Sequence, residues 1–288
     1  MNGIAVLIAV FLAGLFCLRW AIHRGFRIVG EMPTATPADF ALPYRQLQVV
    51  TANGKILFAW MIAADSAGPA PAIVLMHGWG ANAATLLPLA APLHRAGLSV
   101  LLLDARNHGQ SDADSFSSMP RFAEDIEAGL DWLKHQPDID AGRLGLIGHS
   151  VGGAAALLVG SRRNDVAAIV SLSAFDHPER VMRQTLARAH IPYRPFGWLI
   201  CRYVERVIGH RFDHIAPVNT IGKIHCPVLI GHGADDTLVP CAAARAIHAR
   251  ANPPTELHIL ADSTHEGPAD LQGLGEELAR FIAPILRR

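Results

Sequence analysis

Short, largely apolar runs recur along this chain, with stretches of helical pattern between them. The runs are Ala72–Met76, Ser99–Leu103, Leu144–Gly148, Ala167–Leu172, Val228–Gly231 and Glu256–Leu260. Between and after them, Ala84–Ala96, Arg121–Lys134, Val151–Ser161, Ala242–Ala251 and Leu271–Leu286 read as helices. A strand that is apolar along its whole length must be covered on both faces. The alternation therefore dictates an α/β fold: a mostly parallel sheet with helices on both sides. Ahead of the series, Tyr44–Val50 and Ile56–Ile62 flank Asn53-Gly54, the strongest short signal for a hairpin. The expected sheet has about eight strands in one large domain. With 51% apolar residues, the chain can bury the core such a domain needs.

Sheets of this kind gather their chemistry at the carboxyl ends of the strands. After the third of these runs, the fifth expected strand once the hairpin is counted, comes Gly148-His149-Ser150-Val151-Gly152, a G-x-S-x-G sequence between strand and helix. A serine there sits on a very sharp turn with its hydroxyl raised above the sheet, and glycines at both ends relieve the crowding. The alternative is an ordinary tight turn in which the serine caps a helix. A serine hydroxyl needs a base. Of the 15 histidines, His265 is selected by its place in the loop after the last apolar run. The base in turn needs an acid to hold its tautomer. Asp235 and Asp236 compete for that role after Val228–Gly231, and Asp176 is a third candidate. An oxyanion needs two N–H donors aimed at one point. Val151, directly after the serine, offers one. Trp79, in His77-Gly78-Trp79-Gly80, offers the other, although its ring also suits a covering role.

Together these segments, with Asp104-Ala105-Arg106-Asn107-His108-Gly109-Gln110-Ser111 and Gly233-to-Pro240, resemble the α/β-hydrolase superfamily from roughly Tyr44 to the C-terminus. The esterase and serine-peptidase branches are the most similar. The resemblance implies a triad of Ser150, Asp236 and His265, since in such relatives the last Asp before x-x-Val-Pro is the acid. It implies Trp79 and Val151 as oxyanion donors. It also implies acyl transfer through a covalent intermediate, with no metal or organic cofactor. A carboxylic ester is the expected substrate, with a peptide or amide as the alternative. The segment of about 175–225 resembles a helical cap. Its aromatics, Tyr193, Phe196, Trp198, Tyr203 and Phe212, either line an acyl pocket or pack the cap's own core. The arginines of the same segment read as a solvated helical face.

Two readings from other classes compete. Gly78-Trp79-Gly80-Ala81-Asn82-Ala83 matches G-x-G-x-x-[G/A], and Asp104 ends the next apolar run, as a dinucleotide-binding fold requires. That reading leaves Ser150, Asp236 and His265 without a role. The other is an inactive hydrolase scaffold used for binding. Lys plus Arg and Asp plus Glu are balanced at 25 each. That balance gives no sign of the basic face that a nucleic-acid partner usually needs. Cys17, Cys201, Cys226 and Cys241 show no paired spacing, which suits free thiols rather than disulfides or zinc.

The N-terminus differs in character. From Gly3 to Leu18 every residue is apolar, Gly or Cys, and Arg19, Arg24 and Arg27 follow. This run spans about 24 Å as a helix, and Ala21 and Ile22 extend it toward the roughly 30 Å of a bilayer core. No basic residue precedes it, as a secretory signal would require. Residues 1–30 are therefore expected to be a single-pass membrane anchor with its basic flank. The arginines would then keep the catalytic domain cytoplasmic and favour lipophilic esters delivered from the bilayer. Residues 31–43, with Pro33, Pro37 and Pro43, read as an extended linker to a domain over 44–288.

Overall fold

The computed structural model describes residues 3–25, 28, 30–252 and 254–288. Its centre is an eight-stranded sheet ordered β1-β2-β4-β3-β5-β6-β7-β8. The strands are β1 (Arg45–Thr51), β2 (Lys55–Ile62), β3 (Ala70–Met76), β4 (Ser99–Leu103), β5 (Ile139–His149), β6 (Ala168–Leu172), β7 (Val228–Gly233) and β8 (Thr255–Leu260). β1 and β2 form the expected antiparallel hairpin, and every pairing from β4 through β8 is parallel. Asn53 (φ 61°) and Gly54 (φ 62°) both take left-handed backbone in the hairpin turn. These are the residue types that enter it at least cost.

Helices α2 (Leu87–Arg95) and α10 (Leu271–Leu286) cover one face, and α3 (Met119–Lys134) and α4 (Val151–Gly160) the other. Strand β3 shows the two-sided burial directly. Ile73 and Leu75 join the core under α2 and α10, whereas Ala72, Val74 and Met76 join the core under α3 and α4. Helix α9 (Ala242–His248) follows β7. Two helix starts differ from the sequence reading. A 3-10 turn at Ala83–Leu86, capped by the Asn82 side chain, precedes α2. Helix α3 begins earlier than expected because Pro120 lies in its first turn, where no backbone donor is needed.

Between β6 and β7 the chain forms α5 (Pro178–Arg188), a π-type turn at Tyr193–Gly197, α6 (Trp198–Ile208), and the short helices α7 (Phe212–Ile215) and α8 (Pro217–Thr220). The parallel register brings the carboxyl ends of the strands level: Met76 lies beside Leu103 and Gly148, His149 beside Leu172, and Gly233 beside Leu260. The loops that leave these ends therefore meet in one region.

The N-terminal expectations need correction. Gly3–Gly25 is helical, as α1. Among the described residues, however, no helix is long and apolar enough to cross a membrane. The apolar run gives way to Arg19 after about 24 Å of rise, and Arg24 follows within the same helix. The expected single-pass anchor is thereby overturned. The membrane location, the cytoplasmic orientation and the delivery of lipophilic esters from a bilayer, all argued from it, fall with it.

Nor is 31–43 an extended tether. Pro37 and Leu42 are buried, and Ala35 and Phe40 pack against the core beneath α2 and α10. Asn82 Nδ2 donates to Glu31 O at 3.1 Å. Thr36 and Asp39 form a reciprocal capping box on the 3-10 turn Pro37–Phe40. The prolines fix a strap that lies on the domain.

Candidate active site

Ser150 is the single residue between β5 and α4. The turn forces it to φ 54° and ψ −118°, a conformation that costs a non-glycine residue of order 1–3 kcal/mol. The neighbouring glycines make room for it. A Cβ on Gly148 would overlap the Gly152 carbonyl, and one on Gly152 would sit 2.5 Å from His77 O and closer still to Met76 O. Ser150 N–H donates to Leu172 O at 2.8 Å, which ties the turn to the end of β6. The Ser150 side chain is only half-buried.

The loop after β8 brings His265 to this turn, with Nε2 3.0 Å from Ser150 Oγ and Nδ1 2.7 Å from Asp236 Oδ2. A carboxylate can only accept. Nδ1 therefore carries the proton, and Nε2 is left to accept from the serine hydroxyl. The second oxygen of Asp236, Oδ1, accepts from Leu238 N–H at 2.9 Å and Val239 N–H at 2.7 Å. Val239 N–H and the His265 ring thus clamp a buried carboxylate from opposite sides. Asp235 is exposed, and Asp176 is paired with Arg180 Nη1 at 3.2 Å. Of the three candidate acids, only Asp236 is bonded to His265.

The loop after β3 runs directly against the turn. A Cβ on Gly78 would lie 3.3 Å from Ser150 Cβ and 3.1 Å from His149 Nδ1. Beneath it, His77 is fully buried. Its Nδ1–H donates to Gly78 O at 2.7 Å, and its Nε2 accepts from Ala105 N–H at 3.0 Å. Burial, with smaller contributions from the neighbouring His108 and His149, pushes the pKa of His77 down to about 3, so its imidazole is neutral at pH 7. Gly78 O belongs to the same peptide unit as Trp79 N–H. Since the two point in opposite directions across a trans peptide, anchoring the carbonyl below orients the N–H away from His77. Trp79 is stacked on Phe122 and 42% exposed. Val151 is the first residue of α4, where backbone N–H groups have no partner within the helix.

Asp104, the acid of the dinucleotide reading, is spent within the fold. Its carboxylate accepts from Ala83 N–H at 2.7 Å and Gln110 N–H at 2.8 Å, and burial raises its pKa to about 6. The aromatics between β6 and β7 divide. Phe212 is buried, Tyr193 bonds Glu179 beneath Arg183, and Phe196 and Trp198 are exposed. Among the described residues, no group of three or more His, Cys, Asp or Glu is arranged to hold a metal ion.

Two histidines not singled out by sequence reasoning join the cluster. His149 Nε2 is 2.7 Å from His265 O. His232 Nε2 is 2.8 Å from Val239 O and 3.2 Å from Asp236 Oδ2, from its place inside β7. His149 was visible as the variable position of G-x-S-x-G. For His232 the only signal was a polar residue at the end of an apolar run.

Comparison with known proteins places this geometry in context. Residues 67–206 match the family described as serine aminopeptidase, S33. An uncharacterized protein of Mycobacterium tuberculosis is 28% identical over 97% of this chain and 94% of its own length. The mouse sn-1-specific diacylglycerol lipase ABHD11 is 32% identical over 52% of this chain and 48% of its own. Among solved structures, the esterase Pf2001 of Pyrococcus furiosus superposes with a TM-score of 0.69 at 22% identity, covering 91% of this chain and 98% of that one.

Proposed function

We propose that this chain, a member of the α/β-hydrolase superfamily, is a serine hydrolase that cleaves small-molecule carboxylic esters through an acyl-enzyme. The observation that carries the reading is the unbroken line from Asp236 Oδ2 through His265 to Ser150 Oγ, at 2.7 and 3.0 Å, ending on a serine in strained backbone.

In this reading Ser150 Oγ attacks the carbonyl carbon as its proton passes to His265 Nε2. Asp236 stabilises the resulting imidazolium. The N–H groups of Trp79 and Val151 receive the negative charge that develops on the carbonyl oxygen, in the manner of an oxyanion hole. As the tetrahedral intermediate collapses, His265 returns the proton to the leaving alkoxide. A water then gives its proton to His265 and attacks the acyl carbon, and Ser150 Oγ leaves with that proton. The helical segment between β6 and β7 serves as the cap over the site. The match to the serine aminopeptidase description keeps an aminoacyl amide as the second substrate class.

The test is labelling by a fluorophosphonate, followed by a parallel screen of esters and aminoacyl amides. The wild type is expected to be labelled at Ser150 and to turn over esters faster than amides. Ser150→Ala is expected to abolish both labelling and turnover while it keeps the wild-type melting temperature. Full esterase activity in that variant refutes the reading.

A further inference from the structure

Ser150 and His265 are held in place by unlike means. Ser150 sits between a strand and a helix, each held by its own regular backbone hydrogen bonds. His265 sits in an irregular loop between β8 and α10, where Asp262 (φ 48°) and Gly267 (φ 103°) both take left-handed backbone and Thr264 pairs with Gly267. Asp236 grips the His265 ring at Nδ1, but that bond does not fix the main chain that carries the ring.

His149 reaches that main chain. Its Nε2–H donates to the carbonyl of His265 itself at 2.7 Å, and the two rings lie 5.2 Å apart. On its other side, His149 Nδ1 lies against Gly78, where even a Cβ would approach to 3.1 Å. The residue immediately before the serine therefore fills the space between the base loop and the loop after β3. Burial holds its imidazole below the ordinary range. It is therefore neutral at pH 7, and acceptance by a carbonyl requires that the single proton be on Nε2.

We propose that His149 is a positioning residue: by tying the main chain of His265 to the residue next to Ser150, it sets the distance between the base and the nucleophile. This rests on the serine-hydrolase reading. A displacement of about 1 Å at a reacting group costs on the order of 100-fold in rate. His149→Leu, which fills similar space but cannot donate, is therefore expected to lower kcat by roughly 30- to 100-fold, with KM changed by less than about threefold. His149→Gln places an amide N–H near the position of Nε2 and is expected to recover most of that loss. A purely structural role would instead lower the melting temperature of both variants and leave kcat per folded molecule unchanged.

Three results separate the possibilities. If wild-type protein is not labelled by a fluorophosphonate, the hydrolase reading fails and this inference with it. If the wild type is labelled at Ser150 but His149→Leu turns over at the wild-type rate, or His149→Gln is as slow as His149→Leu, the positioning role alone is refuted. Should His149→Leu fail to fold, ¹⁵N NMR of the wild type decides: the His149 ring must carry its proton on Nε2, and a proton on Nδ1 overturns the proposal.

Discussion

Gly152→Ala isolates the mechanical problem at the turn. The added methyl would lie 2.5 Å from His77 O and closer to Met76 O, whereas ordinary van der Waals contact starts at 3.4 Å. Both obstacles are main-chain atoms at the end of β3, so no side chain can rotate away. The first turn of α4 and the loop after β3 must separate by about 1 Å, the shortfall between 2.5 and 3.4 Å. These two segments carry Val151 and Trp79, whose N–H groups converge on one oxygen in the proposed mechanism. Overpacking of this kind costs about 1–3 kcal/mol in stability, and a shift of that size costs roughly 100-fold in kcat. Gly153→Ala is the graded comparison, because its nearest obstacles, Gly148 O at 2.9 Å and Leu172 O at 3.0 Å, demand about half that shift. The assay is hydrolysis of a chromogenic ester, read as kcat and KM separately, beside a thermal melt. The expected order of kcat is wild type, then Gly153→Ala, then Gly152→Ala far below, with the Gly152→Ala loss exceeding what its melting shift explains. Wild-type kcat in Gly152→Ala refutes the reasoning.

Three further outcomes follow from the geometry. Asp236→Asn should lower kcat by about 10⁴, as loss of the acid does in serine-protease triads, while exposed Asp235→Asn stays near wild type in the same ester assay; the reverse order would assign the acid to Asp235. Arg106 is buried and bonded to Asp125 at 2.8 Å and Glu124 at 2.5 Å. Arg106→Ala removes the charged partner of the buried Asp125 carboxylate, leaving it only the Thr51 hydroxyl and one backbone N–H, and should cost about 3–5 kcal/mol in urea denaturation; a loss under 1 kcal/mol would show that the pair is not essential. His77 has a folded pKa of about 3, below the ordinary 6.5. The unfolded chain therefore binds a proton below pH 6.5 that the folded chain refuses, and stability is lost as pH falls from 6.5 toward 3. His77→Asn lacks this titration, so its stability relative to wild type should improve by about 2 kcal/mol between pH 7 and pH 5; a difference that does not change with pH contradicts the assignment.

What could be read in the sequence was what local chemistry dictates. Continuous apolar runs marked the buried strands, Asn53-Gly54 marked the hairpin, and the spacing of Gly148, Ser150 and Gly152 marked a turn whose crowding the structure makes explicit. The residues alone left Asp235 and Asp236 in competition, and only the resemblance to α/β-hydrolases favoured Asp236. The structure supplies a physical distinction as well, since one is buried and bonded to His265 and the other is exposed. Contacts between loops distant in sequence were out of reach. The partner of His149 lies 116 residues away, and no periodicity encodes such a distance. At the N-terminus the argument failed differently. An apolar count does not measure membrane-crossing length when Arg19 and Arg24 lie within the same helix. Prolines alone suggest a tether, but the residues among them, Phe40 and Leu42, are apolar enough to dock.

The strap over residues 31–42 also determines where the domain can be cut. A chain begun at Tyr44, where the hairpin starts, would retain every strand and every residue proposed for catalysis. It would nevertheless lose the cover that Pro37, Phe40 and Leu42 provide over the core beneath α2 and α10. It would also leave the Asn82 side chain without its Glu31 partner at the cap of the helix that follows. An uncovered apolar patch invites self-association before it prevents folding. For expression and crystallisation, the usable N-terminal boundary is therefore near Gly30, and trimming to the first strand trades a tidy edge for an adhesive one.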